Sequence, residues 1–380
     1  MTLPEPSASG DILMAFLSIL FEGAPYILVG TLLSGFIDAF LPAKTLERLL
    51  PKNRVLATLS AGFLGLIFPV CECAVVPVVR RLVQKGLPIS CAITYLLSAP
   101  IINPIVIIST LTAFKEFQGI DGVGDLGNAT MTISRISLGY VVAVIVGLAL
   151  LRKKPSDILT DSVVRGIGRG AAAPNAPVQS FDAKLTHAMR TAMRDFLDTA
   201  MYFAIGVMIT SVFNTQVDQS KIEAVAGNEF FAVPSLMGLS FLLALCSTSD
   251  AFIAAPMDSF SSASKLAFLV FGPMLDVKLV FMYSAVFRRK FLVVLSISLF
   301  LLVALLCEPW ANVIGRLSNK PVPSTVSIIP DNVLPAEPAP APAPAPEVPA
   351  TPSPAPVPVT PPASSSSSNS PSTNPAEAKP

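Results

Sequence analysis

Apolar residues gather along the chain in long blocks. A spanning helix needs about 20 predominantly apolar residues. Six blocks meet that need: Asp11–Leu41, Ile89–Phe114, Thr130–Leu151, Thr191–Val217, Ser264–Phe287 and Phe291–Pro309. Two more, Val55–Leu82 and Phe230–Phe260, are too long for one upright helix and too short for two full spans with a loop. Each is interrupted near its centre, by Pro69-Val70-Cys71-Glu72-Cys73 and by Cys246-Ser247-Thr248-Ser249-Asp250. Both read as re-entrant or broken helical hairpins with tips inside the membrane. Non-helical backbone at that depth is tolerated only where protein or a watery cavity covers it. The expected fold is an all-α polytopic membrane protein with about eight membrane segments.

Loop charge orients these segments, because cytoplasmic loops collect Lys and Arg. Lys44, Arg48, Lys52 and Arg54 follow the first span, and Arg80, Arg81 and Lys85 follow the first hairpin. The central loop carries Arg152, Lys153, Lys154, Arg165, Arg169, Lys184 and Arg190, and Arg288, Arg289 and Lys290 close the seventh segment. The other connections are acidic, with Glu116, Asp121 and Asp125 in one and Asp218, Glu223 and Glu229 in the other. These signs agree if each hairpin returns to its starting side. The N-terminus and the C-terminal tail are then outside and the central loop is cytoplasmic. The N-terminal segment has no basic flank, so no cleaved signal peptide is expected.

The two halves match. Leu20-Phe21-Glu22-Gly23-Ala24-Pro25-Tyr26 with Gly30 lies over Phe196-Leu197-Asp198-Thr199-Ala200-Met201-Tyr202 with Gly206. Cys73 lies over Cys246, and Leu96 to Pro100 with Asn103 lies over Leu269 to Pro273 with Asp276. The first helix runs inward in one copy and outward in the other, an inverted-topology repeat. Such repeats, with broken helices near the midplane, mark secondary transporters. The expected organisation is residues 1–10 as a short N-terminal segment, 11–151 as the first membrane repeat and 152–190 as a basic cytoplasmic loop. Residues 191–309 form the second repeat and 310–380 a Pro/Ala/Ser-rich disordered tail. Residues 321–380 hold 19 of the chain's 36 prolines and no glycine or aromatic residue, a composition that cannot bury a core.

Composition narrows the function classes. Of 380 residues, 52% are apolar and 13% charged, with a mean hydropathy of +0.65. A soluble domain carries about 25% charge, so a cytosolic enzyme is excluded. A net charge of +1 leaves no footprint for nucleic acid. The single histidine, His187, leaves no second one for a multi-histidine metal site, and the five cysteines do not form a secreted disulfide framework. No G-x-x-x-x-G-K-[ST] stretch is present, so the chain should not hydrolyse ATP. Nothing calls for a cofactor. The partners expected are the lipid bilayer, a small-molecule solute and, for the assembly, further copies of the chain.

Ionisable residues within spans are functional candidates, because burying their charge is costly. Glu22 and Asp198 occupy matching positions and could carry protons or bond a neighbouring helix. Two residues apart on a helix point about 200° apart, whereas in extended backbone they share a side. If the Pro69–Cys73 tip is unwound, the Cys71 and Cys73 thiols converge on one soft atom. Glu72 then faces away or takes the proton a thiol releases. The alternative is two small apolar cysteines in a helix break. Opposite them, Cys246, Ser247 and Ser249 offer a thiol and hydroxyls, with Cys71, Cys73 and Cys246 as soft-ion ligands. Asp250 is the leading proton-coupling candidate, because low dielectric favours its neutral form; as an alternative it caps the second hairpin helix. Asn103 lies in the kink Ser98–Pro104. Asp276 and Lys278 neutralise each other or a partner across the bundle, and with Glu22, Glu72, Asp198 and Asp250 they make up the proton-coupling candidates. Arg135, near the start of its span, is expected to snorkel. Cys91 and Cys307 read as packing residues.

At these residues the chain resembles a family of predicted bacterial permeases that includes organoarsenical efflux permeases. The resemblance rests on the Pro69–Cys73 tip with Pro77, Gly86 and the Ser98–Pro104 kink, and on Cys246-Ser247-Thr248-Ser249-Asp250-Ala251-Phe252. It covers residues 11–308. It implies a permease of the bacterial inner membrane. For the arsenical members it implies export of trivalent organoarsenicals, with membrane cysteines as arsenic ligands. The function expected is a secondary exporter of a small soft or amphipathic solute, coupled to protons. The alternatives are a permease for a different metal or organic solute, a membrane thiol oxidoreductase using Cys71 and Cys73, or a scaffold that displays its tail.

Overall fold

The computed structural model describes residues 8–42, 45, 51–117, 124–167, 180–216, 229–257 and 260–318. All belong to one compact unit, Met1–Val322. The expected proline-rich tail lies outside the described residues from 319 onward.

The first half opens with α1 (Ala8–Phe40), which is apolar around its whole circumference and contains Pro25. A helix of that kind needs lipid or protein on every side. The first hairpin follows: α2 (Arg54–Ala61), capped by the Asn53 side chain, then α3 (Leu64–Ile67) and α4 (Glu72–Gln84). Residues 68–71 between them are non-helical, around Pro69, and Cys71 is extended at φ −74° and ψ 171°. Gly86, at φ +104°, ends α4 in the left-handed region that glycine adopts freely, and Leu87 N–H closes back on the Leu82 carbonyl. Then come α5 (Ile89–Ser98), α6 (Pro104–Phe117) and α7 (Gly124–Ala149). Pro100 has no N–H to continue α5, and Pro104 starts α6 where a missing donor costs nothing.

Two short helices, α8 (Pro155–Ile158) and α9 (Asp161–Val164), lead into the second half. It comprises α10 (Phe181–Gln216), α11 (Glu229–Leu243), α12 (Asp250–Ala254), α13 (Ser262–Met274), α14 (Val277–Ser284) and α15 (Arg289–Ser318). The start of α10 lies ten residues before the expected span boundary at 191. The described part of the central loop is docked rather than free: Leu159 pairs with Phe287, and the Arg288 guanidinium holds the Leu159 carbonyl at 3.0 Å and Asp161 at 2.6 Å.

Among the described residues, five helical segments are long and apolar enough to cross a membrane: Gly10–Phe40, Thr130–Ala149, Phe181–Thr215, Ser262–Ser284 and Arg289–Val313, the fourth made of α13 and α14 in succession. They coincide with five of the six expected spans. The sixth, Ile89–Phe114, is split into α5 and α6 by the proline-rich break. The chain is thus a multi-pass membrane protein, mostly helical among the described residues.

α1 and α10 pack along each other, α1 also against α4, and α10 against α14. Their outward faces keep Phe21, Val29, Leu197 and Met201 exposed, as helices do when lipid is the solvent. Gly30 lets α1 approach the backbone of Ala74, and Gly206 lets α10 approach Lys278. A Cβ on Gly206 would stand 2.7 Å from the Lys278 Cα. These two crossings hold α4 with Glu72 and α14 with Lys278.

Candidate functional site

The first hairpin tip is built by Pro69. It breaks the chain before α4, so Cys71 is the last extended residue and Glu72 the first helical one. Cys71 and Cys73 both lie on the wall of a pocket. Glu72 does not face away from them. Residues 71–73 straddle an extended-to-helical transition rather than a strand, and all three line one pocket.

The second tip arrives from the opposite half. Ala244 bends there with φ +48°, and Cys246, Leu245 and Ala244 line the same pocket as the first tip. Ser249, not Asp250, is the cap residue of α12; Ser249 bonds only the Cys246 carbonyl, at 3.1 Å. Asp250 sits in the first turn.

Lys278 joins the tips. Asp276 caps α14 by accepting from the Leu279 N–H at 2.7 Å, which sets Lys278 in the first turn of that helix. Its Nζ donates to the carbonyls of Ala244 at 2.8 Å and Leu245 at 3.2 Å, and lies 3.4 Å from Glu72 Oε1 and 3.5 Å from Asp276 Oδ2. Glu72 Oε2 accepts from Ser247 Oγ at 2.9 Å. Lys278, Glu72 and Asp276 are buried. Breaking such a pair from one side strands a buried charge, at about 3–5 kcal/mol.

The cavity between the tips has a volume of about 80 Å³. Glu22, Tyr26, Phe203 and Asn214 complete its wall together with Cys71, Glu72, Cys73, Cys246 and Lys278. Cys71 and Cys246 are partly exposed and Cys73 is buried. Among the described residues the thiols are not pre-assembled into a metal cluster, so a soft ligand would have to draw them together.

A second buried pair lies beyond Ser247. Arg135, on α7, is 1% exposed and does not snorkel. α7 begins at Gly124, which puts Arg135 about three turns inside the helix. Its Nη2 donates to Asp250 Oδ2 at 2.6 Å and to the Ser247 carbonyl at 3.2 Å, and its Nη1 to Thr110 Oγ1 at 2.7 Å. Ser109 also donates to the Thr248 carbonyl. Sequence reasoning placed Arg135 at the interface and passed over Thr110. The available signal was an arginine inside an apolar block with one unmatched acid, Asp250, in the opposite half.

Two expected candidates stand elsewhere. Asn103 spans the α5–α6 break, its amide donating to the Val70 carbonyl at 3.3 Å, so it braces the first tip from behind. Asp198 is exposed and pairs with Arg80 at 3.3 Å. It belongs to a separate network in which Arg81 forks onto Asp195 at 2.7 and 2.8 Å while Asp38 gathers Lys85 and His187. Glu22 and Asp198 match in sequence without meeting the same partners. Cys91 and Cys307 are buried in the apolar core.

A family model described as "Predicted permease" matches residues 9–307. The UPF0718 protein YcgR of Bacillus subtilis (strain 168) is 37% identical over 283 residues, covering 74% of this chain and 90% of that protein. A Streptococcus mutans protein named as a two-component membrane permease complex subunit is 32% identical over 289 residues, covering 76% of this chain and 90% of its own length. No solved structure matches the chain significantly.

Proposed function

The chain belongs to this predicted permease family, and from that premise we propose that it is a secondary exporter of a small soft or amphipathic solute. Trivalent organoarsenicals are the class we favour, with protons as the coupling ion. The carrying observation is that Cys71 and Cys73 from one hairpin tip and Cys246 from the other line a single pocket with Glu72 and Lys278. Thiols suit a soft, thiophilic atom, and the ammonium–carboxylate pair beside them suits a solute that changes charge as it binds.

Matching contacts support an inverted repeat. α5 packs on α7 as α13 packs on α15, and α2 packs on α5 as α11 packs on α13. Each hairpin's returning arm also meets the other half: α4 packs on α14 and α12 on α6. Two similar halves in opposite orientation can exchange conformations and open one site to either face in turn. The basic loops put the central segment in the cytoplasm of a bacterial inner membrane, with the N-terminus outside. The relative from Streptococcus mutans is named as one subunit of two, and a companion subunit beside this chain is part of the proposal.

Accumulation of trivalent phenylarsenical in cells with and without the gene tests the reading. Lower accumulation with the gene is expected. Equal accumulation would remove the arsenical substrate.

A further inference from the structure

The thiol pocket and the Arg135–Asp250 pair are one continuous structure. Ser247 gives its hydroxyl to Glu72 and its carbonyl to Arg135. A buried chain therefore runs Asp276, Lys278, Glu72, Ser247, Arg135, Asp250. Its charged side chains are each 4% exposed or less.

The charges along it do not balance. It holds three carboxyl groups and two bases. The imbalance sits at one end. Arg135 faces a single acid, Asp250, at 2.6 Å. Lys278 is shared by two, Glu72 at 3.4 Å and Asp276 at 3.5 Å. The other titratable groups facing this end are Cys71, Cys73 and Cys246 from the two tips, Glu22 and Tyr26 on α1 and Tyr283 on α14, none of them a cation. The nearby acids of α10, Asp195 and Asp198, are engaged with Arg81 and Arg80 instead. A surplus charge held away from water is neutralised rather than kept.

The oxygens say where. Both oxygens of Glu72 have partners, Lys278 on Oε1 and Ser247 on Oε2. Among the described residues, two carboxyl oxygens are buried and accept no hydrogen bond, Asp250 Oδ1 and Asp276 Oδ2. Asp250 has Arg135 to itself on its other oxygen, whereas Asp276 uses Oδ1 to cap α14 and shares Lys278 with Glu72. A protonated carboxyl needs one such oxygen to carry the O–H.

We infer that Asp276 holds a proton on Oδ2, and that this proton is linked to the pocket through Lys278. Lys278 lines the pocket and touches both acids, so a ligand that displaces it from Glu72 moves it toward Asp276 and drives the proton off to water. This rests on the transport reading for its meaning but not for its test. It moves the coupling role from Asp250, the stronger candidate by sequence, to Asp276.

Infrared difference spectroscopy of the purified full-length protein in lipid is the test, with no solute required. A protonated buried carboxyl band is expected at neutral pH. It should vanish in Asp276→Asn, and persist in Asp250→Asn, Glu22→Gln and Asp198→Asn. Should Asp276→Asn fail to fold, Asp276→Glu should shift the band. Phenylarsine oxide, the probe for the pocket, should diminish the band in the unmodified protein. A missing band, a band lost in Asp250→Asn but kept in Asp276→Asn, or one unmoved by Asp276→Glu overturns the proton site. A band indifferent to phenylarsine oxide overturns the link through Lys278. A cellular export defect with the band intact would instead strike the proposed function.

Discussion

Ser247 and Glu72 stand 175 residues apart in the chain and share a hydrogen bond of 2.9 Å between Oγ and Oε2. Each belongs to the broken tip of a different hairpin. The bond is thus a direct tie between the two halves at the place where their backbones are least regular. Buried polar groups of this kind need every partner supplied, which makes the tips a coupled pair rather than two independent loops.

The ion pair beside that bond should behave the same way. Lys278→Met leaves Glu72 and Asp276 without their shared base, and Glu72→Gln leaves Lys278 with one acid fewer. Lys278→Met is expected to cost about 3–5 kcal/mol of stability. The Glu72→Gln, Lys278→Met double variant should lose less than the sum of the two. Thermal unfolding of the four proteins in detergent measures this coupling, and strict additivity would mean the pair is not energetically joined.

Arg135 reaches Thr110, Ser247 and Asp250 with two nitrogens of one planar group. Lysine has a single ammonium and cannot reproduce that fork. Arg135→Lys is expected to lower the unfolding midpoint by leaving a buried partner unmet, about 1–3 kcal/mol. The loss should be absent from Arg80→Lys, whose partner Asp198 is solvent- or lipid-accessible.

Gly206 has no space for a methyl group, because Lys278 Cα would lie 2.7 Å from it. Gly206→Ala should push α10 off α14 and pull Lys278 out of register with Glu72, costing about 1–3 kcal/mol as overpacking does. Gly238→Ala is the control, since nothing lies within 4 Å of its Cβ position. Export in cells should fall in the first variant and hold in the second.

Much of this arrangement can be read from the sequence, and the gaps have physical causes. Pro69, Pro100 and Pro104 mark breaks that any helix would suffer, so the tip at Cys71 and the kink before α6 are foreseeable. The meeting of Cys71, Cys73 and Cys246 follows from placing both interruptions at one depth. What cannot be read is partner choice. Asp198 matches Glu22 by position, yet the basic end of α4 delivers Arg80 to it. Arg135 resembles an interfacial residue only while its helix is taken to start at Thr130. With α7 starting at Gly124, the same arginine is an interior charge. Asp276 and Lys278 are near neighbours in sequence, but their imbalance appears only when Glu72 arrives from the other half.

Reactivity of Cys71 and Cys246 toward a membrane-impermeant maleimide, applied to either face of oriented vesicles, tests the shared pocket most directly. A variant lacking only the packing cysteines Cys91 and Cys307 keeps the three pocket thiols, and peptide mass spectrometry reports the labelling of each, with and without a trivalent phenylarsenical in excess. Both thiols should label from the same face in any one condition, and both should change face or become protected when the arsenical is added. Labelling of the two from opposite faces, or of either from one face regardless of ligand, would contradict a common site between the hairpin tips.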